Sequence, residues 1–172
     1  MLITFKRVVP IPDTMTFERV YEDGLQTDEE EKTRFAACPS WIASWLFVNG
    51  TLAGETYGLS LKDLREVEPG IEAADDPSDG AFRRDIAALP DSTLYRYSTT
   101  ILPAFQGQGL GRILVAHWMG QALAKGYAQV VGHATAPAME AIHRTFGARF
   151  DERVTMGWFE TQRTARFYRV LL

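Results

Sequence analysis

Apolar positions alternate over some stretches of the chain and recur every three to four residues over others, and these two periods divide it into strands and helices. Leu2 to Val9 alternates and predicts a first strand, closed by Pro10 and Pro12. Asp13 or Thr14 can cap a helix through Phe17 and Val20 to Tyr21, with Gly24 ending it. Thr27, followed by Asp28, Glu29 and Glu30, starts a second helix, because a capping side chain and acids both suit a helix N-terminus. That helix ends before Pro39. Trp41 to Val48 and Thr51 to Leu61 are β-prone runs separated by Asn49-Gly50, the sequence of a tight hairpin turn.

Lys62 to Pro90 breaks the pattern. It carries Glu66, Glu68, Glu72, Asp75, Asp76, Asp79 and Asp85 among Pro69, Gly70, Pro77 and Gly80, and reads as a long, partly helical, solvated excursion. Leu94 to Leu102 is a strand stopped by Pro103. A helix follows from about Gly109 to Lys125, capped by Gly126, and then a strand from Ala128 to Ala134. Thr135 and Pro137 open a last helix that ends at Gly147. Phe150 to Leu172 predicts two long strands joined near Glu160 to Thr164.

This order describes a single α/β domain over residues 1–172, built on a mixed, mostly antiparallel sheet with flanking helices. The one strand–helix–strand crossover spans about 94 to 134.

Composition adjusts this picture in three places. The net charge is −4 with both signs interspersed, which argues against nucleic acid as a partner, since phosphate binding needs a clustered basic surface. The lone cysteine, Cys38, permits no intrachain disulfide and reads as a small, partly buried apolar residue. No apolar run reaches the ~20 residues of a membrane span and the N-terminus does not resemble a signal peptide, so the expected location is cytoplasmic.

The crossover turn carries the clearest chemistry. Gln106-Gly107-Gln108-Gly109-Leu110-Gly111 joins a strand to a helix. N–H groups at a helix start lack partners and the dipole is positive there, so such a turn suits an anion, and glycines let the backbone approach a phosphate closely. A dinucleotide fingerprint beginning at Gly107 would require glycine where Arg112 stands, and no Walker lysine follows.

The pattern Q-x-x-G-x-G resembles the coenzyme A loop of the GNAT superfamily of N-acyltransferases. The likeness extends over Ile101-Leu102-Pro103-Ala104-Phe105 before it and Arg112-Ile113-Leu114 after it. Ile142-His143-Arg144-Thr145-Phe146-Gly147-Ala148-Arg149-Phe150 stands where the family usually reads Leu-Tyr-Glu-Lys-Leu-Gly-Phe. The resemblance implies acetyl-CoA as acyl donor, no metal, and an amine of a small molecule or peptide as acceptor. It implies that the strand before the loop splays from its neighbour to admit the pantetheine arm. Ile101 would offer backbone groups to that arm, and the N–H groups of Gln106 through Gly111 would hold the pyrophosphate. Arg112 is either a further phosphate partner or a solvated ion pair.

Thioester aminolysis needs a base for the ammonium, a donor for the carbonyl oxygen and a proton for the leaving thiolate. Alignment on Gly147 puts His143 at the place of the family's tyrosine acid, either as that acid or as a packing histidine. Tyr97 and Tyr168 are alternative donors. The family's pantetheine-binding asparagine is replaced by Ala136, and Met139 stands where a small residue is usual. His133 shares a strand face with Val131, where some members carry a glutamate base, and is either a proton relay or a structural histidine; Glu55 either faces the acceptor pocket or lies on the solvated face of the sheet. His117 and the four tryptophans read as packing. The acidic excursion either attracts a cationic acceptor or is solvated loop. The last two strands offer an open edge on which a second copy could pair. A non-catalytic acyl-CoA-binding module is the alternative, because the family's tyrosine and asparagine are both missing.

Overall fold

The computed structural model describes residues 1–6, 29–68, 85–158 and 161–172. Seven strands form one sheet in the order β1-β2-β3-β4-β5-β7-β6: β1 (Ile3–Lys6), β2 (Ile42–Val48), β3 (Thr51–Ser60), β4 (Leu94–Ile101), β5 (Gln129–Ala134), β6 (Arg149–Trp158) and β7 (Thr161–Leu171). Every pairing is antiparallel except β4 with β5. The helices are α1 (Glu29–Ala36), α2 (Leu61–Val67), α3 (Leu110–Ala124) and α4 (Pro137–Arg144).

Alternation along the strands sorts side chains to two faces. On one, Trp41, Trp45, Tyr57, Leu59, Tyr95, Val131 and Phe167 pack with Phe35 of α1 and Leu61 and Leu64 of α2. On the other, Leu94, Val130, Tyr168 and Val170 pack with Val115, Trp118, Met119 and Ala122 of α3, and with Met139 and Ile142 of α4. The buried residues of α3 (Leu110, Gly111, Leu114, Val115, Trp118, Met119 and Ala122) fall on one stripe at helical spacing. Trp118 anchors that stripe. Its ring is fully buried, worth about 2–3 kcal/mol, and its Nε1–H donates to the Ile42 carbonyl at 2.8 Å.

The β2–β3 turn is as its sequence implies, with Asn49 and Gly50 both at positive φ (50° and 82°). The expected helix over Asp13 to Tyr21 and the cap at Thr27 lie outside the described residues. The 62–90 excursion needs correcting at its start. Ser60 ends β3 and caps α2, its hydroxyl accepting from the Asp63 N–H at 3.1 Å, and α2 buries Leu61, Asp63 and Leu64. A segment read as solvated therefore begins as a core helix. Its charged letters hid Leu64, and Leu61, read as the end of the preceding strand, is the first residue of the helix. The final strands also meet earlier than expected, since β7 already begins at Thr161.

Position along the sheet is decided by β4. Tyr57 pairs with Ser98 and Gly58 with Arg96, so Tyr97 is an extra residue on β4, a bulge. A bulge bends its strand, and pairing between β4 and β5 stops there. Only Leu94↔Val130 and Tyr95↔Val131 are matched. Among the described residues, the matched β4–β5 register does not extend past Tyr95↔Val131, although β4 continues to Ile101.

Candidate active site

β4 runs from a cluster of polar side chains, where its matched pairing with β5 ends (the apex), to the glycine loop (the mouth). Five residues of strand, about 17 Å, separate Ile101 at the mouth from Arg96 at the apex.

At the mouth, Pro103–Phe105 forms a short 3-10 turn and α3 starts with Gly109 as its N-cap. Gly107 and Gly109 have φ of 73° and 75°, the left-handed region that other residues occupy only under strain. Gly111 serves differently. A Cβ there would lie 3.0 Å from Ile142 Cδ1, so this glycine lets α3 approach α4. Among the described residues, the N–H groups of Gly107, Gln108, Gly109, Leu110, Gly111 and Arg112 have no backbone acceptor. Gln106 departs from expectation. Its N–H donates to the Pro103 carbonyl at 3.2 Å and its side-chain amide to the Ile101 carbonyl at 2.9 Å. Gln106 closes the turn, and the open donors begin at Gly107. The Ile101 carbonyl, expected to face a pantetheine arm, already has this partner. Arg112 is exposed on the first turn of α3.

At the apex, on the α3/α4 face, Tyr168 of β7 lies opposite Gly132 of β5. A Cβ on Gly132 would sit 2.6 Å from the Tyr168 oxygen and 3.0 Å from the Arg96 carbonyl oxygen, so only glycine leaves room for the hydroxyl. Arg96 is 4% exposed, its Nε–H donates to the Tyr168 oxygen at 2.5 Å, and an Nη1–H donates to Thr99 Oγ1. No carboxylate among the described residues pairs with this guanidinium.

His143 faces the same cluster. It is fully buried and stacked on the Tyr168 ring, with centroids 4.0 Å apart and planes 15° from parallel. Neither ring nitrogen has a hydrogen-bond partner among the described residues. Burial, reinforced by the charge of Arg96, holds its pKa down to about 2. A neutral imidazole of this kind has no readily lost proton to give a thiolate at pH 7.

On the α1/α2 face, His133 of β5 belongs to a chain of three groups. Its Nε2 lies 3.1 Å from Asp85 Oδ2 and its Nδ1 2.9 Å from the Tyr95 oxygen. An ionised carboxylate can only accept, so Nε2 carries the proton, and Nδ1 accepts from the Tyr95 hydroxyl. Burial lowers the His133 pKa, opposed by the hydrogen bond and charge of Asp85. Glu55 is buried on β3 between Trp45 and Thr100. His117 sits away from the apex, stacked on Phe5 and bonded to the Ser44 hydroxyl at 3.0 Å. Sequence reasoning missed Arg96 and Asp85. An arginine in a β-prone run and one acid among many carry no local mark.

Neither a protein-family model nor a curated protein sequence matches the chain. Solved structures do. An agmatine N-acetyltransferase in its apo form superimposes with a TM-score of 0.75 at 10% identity, over 99% of this chain and 100% of that one. The ribosomal-protein-S18-alanine N-acetyltransferase of Escherichia coli gives 0.67 at 13% identity, over 99% and 94%. A GNAT family acetyltransferase from Elizabethkingia anophelis, solved with acetyl-CoA bound, gives 0.61 at 12% identity, over 99% and 98%. The chain has the GNAT acetyltransferase fold. Within that fold the sheet, the single crossover and the glycine loop stand as the sequence implied. Among the described residues, no helix is long and apolar enough to cross a membrane.

Proposed function

We propose that the protein transfers an acetyl group from acetyl-CoA to an amine by direct attack. The observation that carries this reading is that β4 and β5 are matched only at Leu94↔Val130 and Tyr95↔Val131, while β4 runs on to a loop whose N–H groups from Gly107 to Arg112 have no backbone acceptor among the described residues. A diphosphate fits the loop, where the N–H groups of Gly107 through Arg112 have no backbone acceptor among the described residues and the dipole of α3 adds positive charge. Pantetheine carries two amides, which can hydrogen-bond along a strand edge as a further strand would. Two acetyltransferases of the same fold act on agmatine and on a ribosomal-protein alanine, which supports an amine as acceptor without choosing between a small molecule and a protein.

The base in this reading is the Asp85–His133–Tyr95 chain. A proton arriving at the Tyr95 oxygen from the acceptor ammonium passes the tyrosine's own proton to Nδ1. Asp85 then stabilises the imidazolium. The depressed pKa keeps His133 unprotonated, and so able to accept, at neutral pH. The test is release of free thiol from acetyl-CoA with a panel of amines, run with His133→Gln. Turnover should fall in the variant while coenzyme A binding persists, and ATP or NAD should not compete. Binding of coenzyme A without thiol release for any amine would identify a non-catalytic acyl-CoA-binding module instead.

A further inference from the structure

We propose that Arg65 of α2 is a positioning residue for His133: it clasps residues 86–91 and so holds the Asp85 carboxylate against the imidazole. The inference deepens the acyltransferase reading, in which His133 takes up the proton of the acceptor amine, and rests on it for its catalytic consequence.

The Arg65 guanidinium finds three acceptors in one short stretch of chain. Its Nη2 donates to the Ile86 carbonyl at 2.9 Å and to the Leu89 carbonyl at 3.5 Å, and its Nη1 pairs with Asp91 Oδ1. A planar fork can serve several acceptors at once, which a lysine ammonium does less well. The helix that carries Arg65 is itself anchored. Leu61 and Leu64 are fully buried, and Ser60 caps the first turn. The same helix start holds the far end of the stretch, since the Leu61 N–H donates to the Thr93 carbonyl at 2.8 Å and the Lys62 N–H to the Asp91 carbonyl at 3.1 Å. Asp85 directly precedes the first residue that Arg65 grips, and the Ile86 side chain is fully buried in the α1/α2 core. The backbone that bears the Asp85 carboxylate is therefore fixed by a buried side chain and by Arg65.

Asp85 decides the tautomer of His133. The carboxylate accepts from Nε2–H at 3.1 Å, which leaves Nδ1 to accept from the Tyr95 hydroxyl at 2.9 Å. Among the described residues, β4 presents Tyr95 to the imidazole, β7 presents Phe167, and the stretch held by α2 supplies the carboxylate. Once the carboxylate drifts away, the proton can settle on Nδ1 and donate to the Tyr95 oxygen. The nitrogen that faces Tyr95 then no longer accepts. Burial lowers the His133 pKa and Asp85 opposes that shift, so the same loss also makes the imidazole a weaker base.

The experiment reads the tautomer and titration of the His133 imidazole by NMR, together with kcat, KM for acetyl-CoA, the pH profile of kcat/KM and melting temperature. The proteins are wild type, Arg65→Ala, Arg65→Lys, Asp85→Ala, the double alanine variant and Ser60→Ala. Arg65→Ala should move the His133 titration to lower pH and populate the Nδ1–H tautomer. It should lower kcat by about 10-fold or more with KM for acetyl-CoA unchanged, and the acid limb of kcat/KM should move with the titration. Asp85→Ala should do the same, and the double variant should be no worse than the poorer single. Arg65→Lys, the milder change, should show an intermediate titration and recover part of the activity. Ser60→Ala weakens α2 without touching the clasp, so it should lower the melting temperature and leave the titration in place. An imidazole that keeps its wild-type titration and tautomer in Arg65→Ala and Arg65→Lys would overturn the proposal, as would a shift in Ser60→Ala as large as that in Arg65→Ala. Absence of thiol release from the wild type with every amine would instead remove the parent reading, and the imidazole measurement would still decide whether Arg65 governs His133.

Discussion

Gly132 and Tyr168 face each other across β5 and β7 so closely that a methyl group on the glycine would overlap the tyrosine hydroxyl. The contact fixes where the hydroxyl can be. Gly132→Ala would place a Cβ 2.6 Å from Oη, 2.9 Å from Cζ and 3.0 Å from the Arg96 carbonyl oxygen. Tyr168 is also packed on its other side by His143, so the ring cannot simply withdraw. Urea unfolding should show a loss of about 1–3 kcal/mol, the usual cost of overpacking a core. An unchanged midpoint would mean that the ring has freedom these contacts deny it.

The glycines of the loop should separate by role. Gly107→Ala and Gly109→Ala put a side chain on left-handed backbone, costing about 1–2 kcal/mol where the anion is expected to sit. Titration calorimetry should show weaker coenzyme A binding in both. Gly111→Ala meets only the flexible end of Ile142, with nothing else closer than 3.6 Å. That variant should bind coenzyme A at close to wild-type strength, and Gly111→Val should instead lower the melting temperature.

Acid should destabilise the fold through His143. Its folded pKa is about 2 against an ordinary 6.5, so the unfolded chain binds the proton and the folded chain does not. The stabilisation is complete above pH 6.5 and is lost as pH falls below it, by about 1.4 kcal/mol per unit at most. His133 is shifted in the same direction and steepens the slope. Unfolding free energies at pH 7, 6 and 5 should fall less steeply in His143→Phe than in wild type.

Ser60 joins β3 to α2. Its hydroxyl accepts from the Asp63 N–H, and its own N–H donates to Ser40 Oγ at 2.8 Å. Ser60→Ala removes the cap and should cost about 1 kcal/mol by thermal or urea denaturation. Ser60→Asp, which retains an acceptor, should recover less than a full cap, since Asp63 already lies close with its carboxylate on Ser40.

The sequence by itself determined the elements and the loop. Hairpin, crossover helix and glycine turn are local features, written in the spacing of apolar residues and in Asn49-Gly50, Pro103 and Gly107 to Gly111, and each forms where its neighbours in the chain dictate. It also placed His133 on a strand face and His143 on the last helix. What only the tertiary structure decided is the company these residues keep. Arg96 and Tyr168 are 72 positions apart, and His133 and Asp85 are 48. Their meeting depends on a one-residue bulge at Tyr97 and on sheet order, which pair strands by burial rather than by sequence neighbourhood. The same packing buried His143 against Tyr168, left its ring nitrogens without partners among the described residues and lowered its pKa. Solvation of that kind belongs to the assembled fold and leaves no mark on the residue's immediate sequence.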